Sequence, residues 1–229
     1  MKLIQQKNQL RWNKGGQDDN DSELRRKNGP LLPSNVRGLV CGSSGAGKTT
    51  AVVELLKHKN GVRFKNLIVF GRTVSQPKYE NLISTLKGIP GMGVHTAQDI
   101  DIGVEKVPPY SVVIFDDLIT QKQGEIQKFF AMGRHREIDL FFLCQTYAFI
   151  KKQLIRDNAN MIILFRMDQL NLKHAFNDHV VGDMPFNTFL QLCNTCWNEH
   201  KGFLVIDKSC DMNNGRYRCG FDKFFKSTS

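Results

Sequence analysis

From residue 36 onward, short apolar runs alternate with segments whose apolar residues recur at helical spacing. VRGLVC (36–41) is a short apolar run bounded by glycine. After a glycine-rich stretch comes TTAVVELLKH (49–58), with its apolar residues on one helical face. The pattern predicts strand, loop and helix, and it repeats. NLIVF (66–70), SVVIFDD (111–117), DLFFLCQ (139–145) and MIILF (161–165) read as strands, with helices over 78–87 and 121–132. Apolar runs this continuous, separated by helices, predict a mostly parallel sheet covered on both faces, an α/β fold. The Gly- and Pro-rich stretch GIPGMGVHTAQDIDIGVEKVPPY (88–110) reads as a connecting loop with one short strand. Further on, GFLVID (202–207) and RYRCGF (216–221) read as late strands, the first closing the edge of the sheet.

Residues 1–30 are polar, mixed in charge and without apolar period, which predicts a flexible N-terminal arm. Residues 31–210 then form the main domain, and 211–229 a C-terminal strand and tail. A chain of 229 residues suffices for one α/β domain with a well-buried core. No stretch approaches the ~20 apolar residues of a membrane span, and the first residues lack the apolar centre of a secretory signal. A soluble, intracellular protein is expected. Six scattered cysteines do not resemble a secreted disulfide framework and read as reduced thiols. The formal charge of +10, from 32 basic and 22 acidic residues, favours a polyanionic partner. Solubility is the plainer alternative, and composition alone does not choose.

The motifs choose. Gly42-Ser43-Ser44-Gly45-Ala46-Gly47-Lys48-Thr49 fits G-x-x-x-x-G-K-[ST] between a predicted strand and a predicted helix. Glycines let successive N–H groups turn toward phosphates, and the positive end of the following helix favours the same anion. Lys48 is expected to reach the β- and γ-phosphates of ATP and Thr49 to ligate Mg²⁺, with Thr50 completing the binding segment. SVVIFDD ends in two carboxylates at the position of a Walker B acid. Asp116 is assigned to Mg²⁺, directly or through water, and Asp117 to the general base that polarises the attacking water. The alternative is that both acids merely cap the next helix. Gln145, ending the strand expected beside them, is the candidate sensor of the γ-phosphate.

GLVCGSSGAGKTT, VVIFDDL, GRHREIDLFFLCQTY (133–147) and IRDNANMIILFR (155–166) together resemble the FtsK/HerA superfamily. Within it they look like the poxvirus-type genome-packaging ATPases of double-stranded DNA viruses, virophages and Maverick/Polinton elements. The resemblance spans residues 35–207. It implies a three-layer P-loop sandwich of the additional-strand type, ATP-driven movement along duplex DNA, a pentameric or hexameric homo-oligomer ring, and capsid proteins as partners. The site of action would be where virions assemble, in nucleus or cytoplasm. It also implies an arginine finger supplied in trans, for which Arg134 and Arg156 are preferred and Arg166 is a further candidate. The membrane segments and winged-helix domain of FtsK have no counterpart, and the second Walker B acid is Asp where many ATPases have Glu. A single-strand helicase or transposition-associated ATPase, and a nucleotide-gated capsid assembly protein, are the alternatives.

Other features are read more plainly. Cys193-x-x-Cys196, with His200, Cys210 and Cys219 downstream, invites zinc, but both thiols also fit a helix that buries small residues. Phe129, Phe130, Phe141 and Phe142 read as core. Lys122, Lys128, Lys151, Lys152 and Lys173 could line a DNA channel or simply form a solvated face.

Overall fold

Strands and helices follow one another in the order that the apolar pattern predicts. The computed structural model describes residues 2–5, 28–72, 74–118 and 123–226. In chain order the elements are β1 Lys2–Gln5, β2 Arg37–Cys41, α1 Lys48–Lys57, β3 Asn66–Gly71, α2 Pro77–Lys87 and β4 Gly93–Ala97. There follow β5 Ser111–Asp116, α3 Gln123–Met132, β6 Ile138–Cys144, β7 Met161–Phe165, α4 Gln169–His179 and α5 Phe186–Trp197. The chain closes with β8 Phe203–Asp207, β9 Tyr217–Cys219 and β10 Lys223–Lys226. All strands join one ten-stranded sheet in the order β1-β10-β9-β8-β7-β2-β6-β5-β3-β4.

From β7 to β4 the strands are parallel, and β8, β9, β10 and β1 extend the sheet with antiparallel pairing. Every residue of β5, β6 and β7 is buried, which accounts for their continuous apolar sequence: each face meets helices instead of water. Alternate side chains separate the two cores. Val113, Phe115, Leu140 and Phe142 pack with α3, α4 and α5 on one face. Val112, Ile114, Phe141 and Leu143 pack with α1 and α2 on the other. The result is the expected three-layer α/β sandwich with a mostly parallel sheet. Phe129, Phe130, Phe141 and Phe142 are core residues as read. Cys193 and Cys196 lie on the buried side of α5, and Cys196 interacts with Cys219 of β9.

Several expectations need correction. Lys2–Gln5, assigned to a flexible arm, form a strand antiparallel to β10; most of the remaining arm lies outside the described residues. The strand at 202–207 does not close the sheet, because β9, β10 and β1 lie beyond it. Within the segment from residue 211, β9 falls on the expected strand, and β10 follows it in the same sheet. The helix expected from 121 is described from Gln123, and Lys122 lies outside the described residues. Helices α4 and α5 were not anticipated. The first is mostly polar, QLNLKHAFNDH, and gains its place by burying Leu172, Ala175 and Phe176. Its start is fixed by Asp168, whose carboxylate accepts from the Asn171 backbone N–H at 2.9 Å.

The antiparallel extension is tied down by a buried ion pair. Arg218 on β9 donates to the Asp207 carboxylate at 2.6 Å, with both side chains only 1% exposed. Its remaining donors go to the carbonyls of Gly215 and Leu31, so the guanidinium links β8, β9 and the entry to β2. At the opposite end of β6, Asp139 is buried and accepts from the Val36 backbone N–H and the Asn28 amide. Burial outweighs those two hydrogen bonds and raises its pKa to about 7.

Arg218→Met is expected to cost about 3–5 kcal/mol in urea unfolding, because it leaves the Asp207 charge buried without its partner. A loss under about 1 kcal/mol would show that the pair holds nothing together. Asp139 gives a pH signature. A raised folded-state pKa means that the fold favours the protonated acid; that contribution is complete below about pH 4. It fades as pH rises through about 7. Asp139→Asn keeps an acceptor for both donors, so it is expected to stabilise the protein at pH 8 by on the order of 2–4 kcal/mol. It should also flatten the stability profile between these limits, as chemical denaturation at a series of pH values would measure.

Candidate nucleotide-binding site

β2 lies in the middle of the sheet, and its carboxyl end releases the chain into the glycine loop. The loop returns into α1 at Lys48, with Gly47 as the residue before the helix. Gly47 has φ of 110°, where any other L-residue is strained, and its carbonyl accepts the Ala51 N–H at 2.9 Å to start the helix. Lys48 folds back over the loop, donating to the carbonyls of Gly42 at 2.7 Å and Ser43 at 2.9 Å. Half-burial lowers the pKa of its ammonium, opposed by Cys144, Asp116, Cys41 and Asp117. The cation is thus held over the loop before any phosphate arrives.

β6 inserts between β2 and β5, and this adjacency assembles the rest of the site. Asp116, the last residue of β5, is buried and faces α1 and α2; its Oδ2 accepts from the Thr49 hydroxyl at 3.2 Å and from the Tyr79 hydroxyl at 2.9 Å. Asp117, the next residue, is exposed and turns through the left-handed region with φ of 58°. Gln145 emerges just past β6 and donates from Nε2 to the Asp117 carboxylate at 3.4 Å. Lys48, Thr49, Asp116, Asp117 and Gln145 line one cleft of about 340 Å³, together with Ser44, Gly45 and Gly47. The predicted convergence of glycine loop, paired acids and glutamine on one edge of the sheet is therefore present. Thr49 and Asp116 bring a hydroxyl and a carboxylate together, the hard oxygen donors that suit Mg²⁺ bound to a triphosphate.

The same arrangement of sheet and loop occurs in solved viral proteins. The DNA-packaging ATPase B204 of Sulfolobus turreted icosahedral virus superposes with a TM-score of 0.54 at 16% identity, over 81% of this chain and 98% of that one. The genome packaging NTPase B204 of Sulfolobus turreted icosahedral virus 2 does so in complex with sulfate at 0.54 and 14%, over 86% and 99%. Its complex with ATP-gammaS gives 0.50 and 13%, over 77% and 94%. The fold, a mostly parallel sheet between two layers of helices, is shared with these packaging NTPases. No protein-family model and no curated protein matches the sequence. The likeness to B204 thus lies in the course of the chain, with few side chains shared.

The arginines fall in different places. Arg156 is not offered to solvent: its side chain is 12% exposed, pairs with Asp178 at 2.5 Å and stacks over Tyr147. A guanidinium held in this way is engaged within its own subunit, which sets aside the expectation of a finger at Arg156. Arg134 is exposed beside Asp139 in a cleft at the amino ends of β5 and β6, the opposite edge of the sheet from the glycine loop. Arg166 is exposed just past the end of β7, the parallel neighbour of β2. Among the lysines, Lys128 pairs with Glu125 and Lys152 with Asp178, while Lys151 and Lys173 are exposed.

Sequence reasoning missed the first turn of α2. Gln76 and Lys78 line the cleft, the Lys78 ammonium donates to the Thr50 hydroxyl at 2.6 Å, and Tyr79 reaches Asp116. Pro77 at the helix start was the only local signal, and it marks a helix but no chemistry.

Lys48→Ala is expected to weaken binding of an ATP analogue by roughly 10- to 100-fold, the worth of a hydrogen bond to a charged group. Titration calorimetry checks this, and unchanged affinity would remove the glycine loop from nucleotide binding.

Proposed function

We propose that this protein hydrolyses ATP to drive duplex DNA into a viral capsid. The observation that carries the reading is the single cleft in which Lys48, Thr49, Asp116, Asp117 and Gln145 meet at the carboxyl edge of the sheet. The match to packaging NTPases over nearly their whole length supports it, and so does the basic charge of +10. Gly42 to Gly47 and the start of α1 would cradle the phosphates, with Lys48 turning from its carbonyl partners to the β- and γ-oxygens. Thr49 and Asp116 would hold Mg²⁺, which supplies charge neutralisation at the transferring phosphoryl group.

Asp117 is exposed and free to approach a water molecule, as a general base must. The carboxylate takes the proton as the water oxygen attacks the γ-phosphorus, and ADP leaves. Gln145, within reach of Asp117, orients that water and responds to the presence of the γ-phosphate. In a ring, the exposed Arg134 and Arg166 are preferred as the guanidinium offered to a neighbouring subunit, because Arg156 is engaged by Asp178. Positive charge supplied across a subunit boundary would make hydrolysis depend on assembly.

Linear duplex DNA is expected to raise the steady-state ATPase rate severalfold in assembled protein. Asp117→Asn should lower turnover by about 10²–10⁴-fold while nucleotide binding persists. An ATPase rate indifferent to duplex DNA, with monomer and assembly alike, would overturn the translocase reading. Stronger stimulation by single strands would replace it with a helicase.

A further inference from the structure

Asp116 is met from three directions. β5 delivers it, α1 supplies Thr49 and α2 supplies Tyr79, and both hydroxyls donate to the same carboxylate oxygen. The tyrosine ring is fully buried among Leu82, Leu86, Ile114 and their neighbours, so packing fixes its place independently of the hydroxyl. How α2 comes so near is set by the end of β3. Gly71 pairs with Asp116 across the strands, and a Cβ at Gly71 would lie 2.2 Å from the Asp116 carbonyl oxygen. Only glycine lets β3 close against the acid and turn into α2.

With two donors on Oδ2, rotation of the Asp116 carboxylate breaks at least one hydrogen bond in a buried setting, where an unmet polar group is costly. We propose that Tyr79 is a positioning residue for Mg²⁺: its hydroxyl holds Asp116 toward Thr49, so that the pair of oxygen donors is preset before the nucleotide binds. The inference rests on the proposed Mg-ATP site. The tyrosine hydroxyl, a neutral donor, lies 2.9 Å from the carboxylate oxygen it serves. The adjacent Lys78, reaching Thr50, makes the first turn of α2 a third wall of the site beside the glycine loop and the acids.

A purely structural tyrosine would also need a partner for its buried hydroxyl, so the test must read the metal. ATP-γ-S binding is measured with Mg²⁺ and in EDTA for the wild type, Tyr79→Phe, Asp116→Asn and the double variant. Tyr79→Phe is expected to retain its affinity in EDTA and to lose about tenfold of the tightening that Mg²⁺ confers, one charged hydrogen bond's worth. The Mg²⁺ concentration for half-maximal hydrolysis should rise by a similar factor. The double variant should respond to Mg²⁺ no less than Asp116→Asn alone, because both changes act through one carboxylate. A wild-type response to Mg²⁺ in Tyr79→Phe overturns the inference. So does equal loss of binding in EDTA, which would assign the hydroxyl to folding. Wild-type protein whose ATP-γ-S binding ignores Mg²⁺ would instead defeat the Mg-ATP reading itself, and the inference with it.

Discussion

Parallel pairing of β6 between β2 and β5 is the constraint on which the rest of the site depends. Cys41 stands opposite Cys144, and Leu143 opposite Asp116, so the three strands end level with one another. The residues that follow, Gly42, Gln145 and Asp117, consequently leave the sheet at the same edge. Because parallel strands all point the same way, residues more than a hundred positions apart in sequence arrive within hydrogen-bonding distance without any loop reaching for them. A shift of one residue in β6 would turn Leu140 and Phe142 to the wrong core and withdraw Gln145 from Asp117. The apolar packing that fixes register therefore also fixes the geometry of the cleft.

Buried charge serves two ends in this molecule, and the partners tell them apart. Asp207 with Arg218, and Asp178 with Arg156, are acids neutralised inside one chain by a guanidinium at 2.6 and 2.5 Å. They join elements close in sequence, β8 to β9 and the segment before β7 to α4. Around Arg156 the arrangement extends to Tyr147, whose hydroxyl meets both Asp178 and His179, beneath the segment that follows Gln145. Burial lowers the His179 pKa to about 3, so the imidazole is neutral and leaves the Asp178 charge to the arginine. Asp116 differs: its Oδ2 accepts from two neutral hydroxyls, and Lys48 is turned to the loop carbonyls. A carboxylate that shares a cleft with a hydroxyl and an ammonium offers both signs of charge to a ligand.

The sequence made the site legible wherever its signal was local. Gly42 to Thr49 is contiguous, and its chemistry follows from spacing between a strand and a helix. Asp116 and Gln145 were legible because apolar runs as continuous as SVVIF and DLFFLC belong to buried strands, whose ends in an α/β sheet lie at a common edge. Tyr79 was not, since a tyrosine on an amphipathic helix reads as core, and it is indeed core apart from one oxygen. Arg156 misled for the complementary reason: its partner Asp178 sits on a helix, α4, too polar to be recognised by period. The late strands were found as elements but misplaced, because nothing in GFLVID records that Arg218 and β10 continue the sheet past it. Lys2–Gln5, four residues in a polar stretch, become a strand only where β10 supplies a ladder.

Aspartate at position 117, in place of the longer glutamate, has a structural reason. β5 ends one residue earlier, and the chain leaves it through a left-handed turn with φ of 58° at Asp117 itself. That conformation costs roughly 1–2 kcal/mol for most residues and is eased for aspartate and asparagine, whose short polar side chains bond locally. Glutamate gains less from such bonding, so the backbone favours the shorter acid. The turn also re-aims the side chain, carrying it away from Asp116 and toward Gln145, whose amide lies 3.4 Å from the carboxylate. The backbone thus points the Asp117 carboxylate into the cleft and toward solvent, while Asp116 stays buried against α1 and α2.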